Sequence, residues 1–178
     1  ARCGGERDLV PFFSRRIGLS DAGQPLSMRG GARVTGKLGG FDVGLLGMNV
    51  GGQGTAGADD FAVARVRHDV LANSQVGGFA QMRDGDGDWN RSAGVDGSFN
   101  FFRQRLNLAG FVMGAESAGA GGMRGAGSAQ VVWRDPHLNV NSGFVAIEEG
   151  FENDLGFTPR TGIRKYLNSV NYTYQLSG

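Results

Sequence analysis

The chain is poor in the residues that usually staple small folds or carry chemistry. Among its 178 residues there is one cysteine, Cys3, so neither a disulfide framework nor a zinc ribbon can form within it. Histidine occurs twice, at His68 and His137, and neither has a second histidine at ligand spacing, which removes the usual zinc sites. Four prolines are too few for a Pro/Gly-rich disordered linker. No apolar run reaches about 18 residues, so no transmembrane helix is expected, although strands of about 10 alternating residues would escape that criterion. Charge is nearly balanced, at 18 Lys+Arg against 17 Asp+Glu, without a basic stripe. Nucleic acid is therefore not an expected partner. The nucleophile elbow G-x-S-x-G is missing, and no segment of useful length has a helical period.

What the chain has in excess is glycine: 33 residues, where average usage would give about a dozen. They follow no collagen period and are scattered among alternating apolar and polar residues, the way a β-protein uses glycine for bends and close strand packing. ARVTGKL, Ala32 to Leu38, alternates throughout, with Ala32, Val34, Gly36 and Leu38 on one face and Arg33, Thr35 and Lys37 on the other. Gly39-Gly40 then reads as a two-residue hairpin turn into FDVGLLGMNV. Further strands are expected at FAVARVRHDV, VGGFAQMRD, AGVDGSFNFF, LNLAGFVMGA, GSAQVVW and LNVNSGFVAI, and finally over 163–176. In that last segment Tyr166, Val170, Tyr172, Tyr174 and Leu176 share a face.

The expected architecture is all-β, an antiparallel up-and-down meander of about nine strands, part of a transmembrane β-barrel. Residues 1–27 form an irregular lead-in and residues 28–178 an incomplete barrel segment. A soluble β-sandwich is the competing architecture. Three features favour a barrel wall. The strands exceed the usual five to six residues; one face of several strands is polar but uncharged; and aromatics (Phe101, Phe102, Trp133, Tyr172, Tyr174) gather near strand ends, as interfacial girdles do. The opening at Ala1 and the close within strand-like NYTYQLSG suggest a piece of a longer chain.

Candidate chemistry is sparse. DGDGDWN places Asp84, Asp86 and Asp88 at alternate positions, the start of a calcium loop, but Trp89 stands where the required glycine should be and Val95 where the bidentate glutamate should be. These three are weak metal candidates beside the plainer reading of a polar hairpin tip. PFFSRRIGL presents Arg15 and Arg16, and residues 148–154 hold Glu148, Glu149 and Asp154. These five are the candidate ligand or lumen contacts, the arginines reaching the acids while Phe12, Phe13 and Ile17 anchor at an apolar boundary. The acidic loop would also be the place for general acid–base work if the chain were a hydrolase. No catalytic residue and no cofactor is expected.

Residues 9–19 with 25–50, 61–70 and 136–166, in this order and spacing, resemble the domain-of-unknown-function 5916 family of bacterial cell-envelope proteins. The sharpest elements are Phe12 to Gly18, the Ala-Arg-Val-Thr-Gly-Lys strand, and the Gly-Phe-Thr-Pro-Arg-Thr-Gly turn, Gly156 to Gly162. Where that family usually reads Phe-Asn-Pro-Glu before the turn, this chain has Phe151-Glu152-Asn153-Asp154. The resemblance implies an outer-membrane barrel preceded by a sandwich domain similar to family-nine carbohydrate-binding modules, with this chain at the start of the barrel. It also implies a bacterial outer-membrane location, with membrane lipid, carbohydrate and the remaining portions of the same chain as partners. The implied role is glycan or polymer uptake, export or surface display. A soluble carbohydrate-binding module, with Trp89, Trp133 and Tyr166 as stacking platforms, is the alternative; a hydrolase is the third reading.

Overall fold

The computed structural model describes residues 8–19, 23–52, 58–85 and 87–174. Nine strands follow one another along the chain: β1 (Met28–Leu38), β2 (Phe41–Val50), β3 (Asp59–Val70), β4 (Ser74–Asp84), β5 (Trp89–Phe101), β6 (Leu106–Ser117), β7 (Arg124–Arg134), β8 (Leu138–Ile147) and β9 (Ile163–Tyr172). Each pairs antiparallel with the next in a single sheet ordered β1 to β9. The meander is thus as expected, and the strands form one sheet rather than the two facing sheets of a sandwich. Among the described residues β1 and β9 do not pair with each other, so the sheet has two edges and is not closed into a barrel.

Local sequence explains the hairpins. Gly39 and Gly40 both have positive φ, 56° and 86°, the backbone of the turn whose twist matches that of the flanking strands. The turns 39–40, 71–73, 102–105 and 135–137, the short turns hereafter, lie at one end of the sheet. The longest connection, residues 148–162 between β8 and β9, lies at the other.

Partners across the sheet are staggered. The row Leu38, Phe41, His68, Val76, Gly97, Gly110, Ala129, Phe144, Tyr166 runs through all eight ladders. It starts at the last residue of β1, beside the short turns, and ends at the fourth residue of β9, near the long connection. A steady slip in one direction is what tilted strands produce, and tilt with stagger is the geometry that lets a sheet curl round.

The two faces differ in an unusual way. The outward face carries Val34, Leu38, Leu45, Val66, Val95, Val112, Val131, Val170 and Tyr172, and it is exposed: Val112 keeps 59% and Leu38 76% of its surface open. Charged residues at outward strand positions (Asp60, Asp84, Arg91, Glu116, Arg164) stand within three residues of the strand ends opposite the short turns. At the short-turn end the outward residues are Phe41, Phe99, Phe101, Trp133 and Tyr172.

Except for Val132 near the short turns, the buried apolar strand residues are on the inward face in its half near the long connection. There residues 8–19 and 148–162 fold over the strands. Leu9 and Phe151 pack with Met113, Ala115, Ala126, Val145 and Ile147. Ile17 and Leu155 pack with Val50 and Phe61. The lead-in is therefore built into the inward cover rather than merely irregular. Ile17, expected at an apolar boundary, is a core residue instead, and Phe13 packs on Phe157 at 5.9 Å between ring centres. Only Phe12 of the three is exposed.

Candidate functional site

Two things occupy the inward face: a polar latch that fastens the cover, and an open cleft beside it. Period-two alternation places Gln81 and Arg83 of β4 and Asn90 and Ser92 of β5 on this face, directly under the cover. Arg83 is the hub of the latch. Its Nε donates to Asp154 at 2.7 Å and one Nη to Asp59 at 3.4 Å, while the other Nη pairs with Asp88. One guanidinium thus ties β4 to the start of β3, to the β4–β5 loop and to the long connection. Its planar fork suits several carboxylates at once.

Asn153 and Asn90 do the rest with neutral groups. Asn153 Oδ1 accepts from Gln81 Nε2 at 2.9 Å and from Ser92 Oγ at 3.4 Å, and its Nδ2 donates to the Pro11 carbonyl at 2.8 Å. Gln81 Nε2 also donates to Pro11, at 2.7 Å. Asn90, 1% exposed, donates to Ser117 Oγ and the Glu152 carbonyl and accepts from the Asp154 amide. The lead-in is held chiefly through the long connection: Val10 and Phe157 exchange two backbone bonds of 2.9 Å, and the Phe13 amide donates to Leu155 at 2.6 Å. At its start, Asp8 pairs with Lys165 of β9 at 2.7 Å.

The cleft, ≈ 1180 Å³, opens over β1–β3 on the same face, between the cover and the short-turn end. Arg33, Lys37, Asp42, Arg65, Arg67 and Asp96 supply its charge. Lys37 and Arg67 share Asp42 at 3.2 and 3.5 Å, and Arg65 makes a two-pronged contact with Asp96. Further round the sheet the inward residues include neutral amides and hydroxyls, among them Asn107 bonded to Ser98 and Asn100, and Gln130 bonded to Asn141.

Of the residues singled out in the sequence, Asp154 does reach an arginine, but its carboxylate goes to Arg83. Arg16 reaches only the Asp154 backbone carbonyl, at 3.4 Å. Arg15 is exposed. Glu148 accepts from the Gly125 amide at 2.7 Å, so it caps the start of β7 and does not meet Arg15 or Arg16. Glu149 is exposed beside Gly162. The lead-in arginines and the acidic loop are thus neighbours, without forming the ion pairs expected of them. Of the three aspartates expected as weak metal candidates, Asp84 lies 3.9 Å from Arg91 and Asp88 is held by Arg83, while Asp86 lies outside the described residues.

No group of three or more metal-ligating side chains occurs among the described residues. His68 faces outward, stacked on Phe41 at 4.4 Å with its Nδ1 donating to the Gly40 carbonyl, and so does not line a lumen. His137 caps a turn by donating to the Thr173 carbonyl at 3.3 Å. Trp89, Trp133 and Tyr166 also point outward, each on a different strand.

Of the latch residues, Gln81, Arg83 and Asn90 carry no sequence motif, and Asn153 stood out only within the element that departs from Phe-Asn-Pro-Glu. The one local signal is a polar residue following an apolar one at inward strand positions, as with Gln81 after Phe79. Comparison with protein-family models, with curated proteins and with solved structures found no match.

Proposed function

We propose that the chain is a wall segment of a β-barrel in the bacterial outer membrane, acting in passage or display of a glycan or other polymer. The single observation that carries it is the outward face: apolar apart from the Ser142–Asn168 pair, exposed, free of charged residues between its two ends, and edged by aromatics at the short-turn end. In water such a surface is unfavourable by about 25 cal/mol per Å² of apolar area, whereas hydrocarbon is its natural solvent, and aromatic girdles mark the boundary with the headgroups. The staggered register supports the same reading, because tilted strands of 10 to 13 residues suit a bilayer. Lipid is then the partner outside, carbohydrate the partner inside, and further strands of the same polypeptide the neighbours of β1 and β9.

The polar inward face supports a wet interior, and the latched cover narrows that interior at one end. Both tryptophans lie on outward positions, Trp133 near the short turns and Trp89 near the other end, which provides the test. The full chain is refolded into vesicles of ordinary lipid or of lipid brominated along the acyl chains. Quenching of Trp133 emission by brominated lipid, retained when Trp89 is replaced by Phe, is the expected result. A chain that stays monomeric in detergent-free buffer, with both tryptophans indifferent to bromine, would overturn the proposal.

A further inference from the structure

We infer that the cleft over β1–β3 binds an acidic polysaccharide, one whose sugars carry carboxylate or sulfate groups. This rests on the barrel reading and names a cargo class for it.

Charge comes first. Four cations, Arg33, Lys37, Arg65 and Arg67, face two carboxylates, Asp42 and Asp96, which leaves two positive charges in excess. Asp42 is divided between Lys37 and Arg67, and Asp96 is taken by Arg65. Arg33 has no ion-pair partner among the described residues. An excess of one sign in a cleft with low-dielectric walls concentrates counter-ions of the other sign.

Shape comes second. Thr35, Gly44 and Arg65 are partners across β1, β2 and β3, and the bare glycine makes a trough between its neighbours: a Cβ added at Gly44 would lie 3.9 Å from both. The cations stand round this trough. Arg33 and Lys37 are four residues apart on one strand, about 13 Å by strand rise, and β3 is two strands over, about 10 Å. A single small anion spans neither distance, whereas a chain with repeated negative groups spans both.

The inward face beyond the cleft's own lining decides the backbone of that chain: Ser98, Asn100, Asn107, Gln130 and Asn141, bonded among themselves, are amides and hydroxyls of the kind that bond sugar hydroxyls. Bases of a nucleic acid would need open aromatic faces. Of the aromatics lining the cleft, Phe79 lies under the Arg65 guanidinium at 5.8 Å and Phe111 packs on the core, which leaves Phe12 as a single exposed ring where a run of stacked bases would need several.

The test needs no membrane, so it can fail independently of the barrel reading. The full chain in detergent micelles is titrated with dextran sulfate, uncharged dextran and a single-stranded oligonucleotide. Dextran sulfate should bind, weakening as salt rises, and neither of the others should match it. Arg33→Ala with Lys37→Ala, on a solvent-exposed edge strand, should weaken dextran sulfate binding by about tenfold or more. Arg103→Ala with Arg105→Ala, removing the same charge from a turn, should leave it unchanged. Equal losses from both pairs, binding of uncharged dextran, or an oligonucleotide bound as tightly as dextran sulfate would each overturn the inference.

Discussion

Asn153 shows how much a single neutral side chain does at the centre of the latch. It is 7% exposed and uses both ends of its amide, accepting from Gln81 and Ser92 while donating to the Pro11 carbonyl. Aspartate has nearly the same shape but turns the donor into an acceptor aimed at a carbonyl. Asn153→Asp is therefore expected to cost about 2–4 kcal/mol, concentrated in the cover. Limited proteolysis checks it: cleavage within residues 9–19 and 148–162 should accelerate while the strands stay resistant. Loss of resistance throughout would mean that Asn153 supports the whole sheet rather than the latch.

At this scale the sequence was least legible. Asn153 bonds Pro11 across 142 positions and Gln81 meets it across 72, and no local pattern encodes such a meeting. The lead-in arginines were the conspicuous feature of their segment, yet the buried Ile17 and the Pro11 carbonyl do the holding. Charge catches the eye in a sequence; a carbonyl does not.

Elements were far more legible. β2 and β8 begin and end where alternation predicts; β1, β3, β4, β6 and β7 extend one to four residues beyond it, β5 begins four residues earlier and ends one earlier, and β9 stops at Tyr172, short of the expected 163–176. The reason is physical: a strand with two different environments writes its period into the chain, and a Gly-Gly turn fixes where the register begins. Alternation also sorted Val34 from Arg33 and Phe99 from Asn100 correctly. It could not say which face would be covered, because that depends on residues 148–162 folding back over the inward side.

The outward face gives the element-scale prediction. Val112, in the middle of β6, is exposed and far from the charged strand ends. Val112→Arg should destabilise the chain in vesicles by about 2–4 kcal/mol, the cost of an arginine near the bilayer midplane. Gly125→Arg, at the loop end of β7, should cost about 0–1 kcal/mol. Equilibrium urea unfolding in vesicles measures both; equal costs at the two positions would count against surroundings that vary with depth, and so against lipid.

For the whole molecule, the consequential feature is the place where the lead-in is fastened. Its backbone partners are Phe157 and Leu155, which belong to the connection preceding the final strand. A segment that precedes the sheet thus waits for one that immediately precedes β9. The hairpins close over short loops and can zip in order, whereas docking the lead-in joins residues some 142 positions apart. Closing so long a loop costs entropy before its contacts repay it, and the intervening hairpins must form first to shorten it. The lead-in should consequently be the last part to gain protection. Pulsed hydrogen exchange during refolding is expected to mark the amides of Val10 and Phe13 after those of β5 and β6. Simultaneous protection would mean that the cover templates the sheet. In the expected order, the interior stays vacant while strands assemble, and residues 8–19 act as a clock that registers when residues 148–162 have arrived.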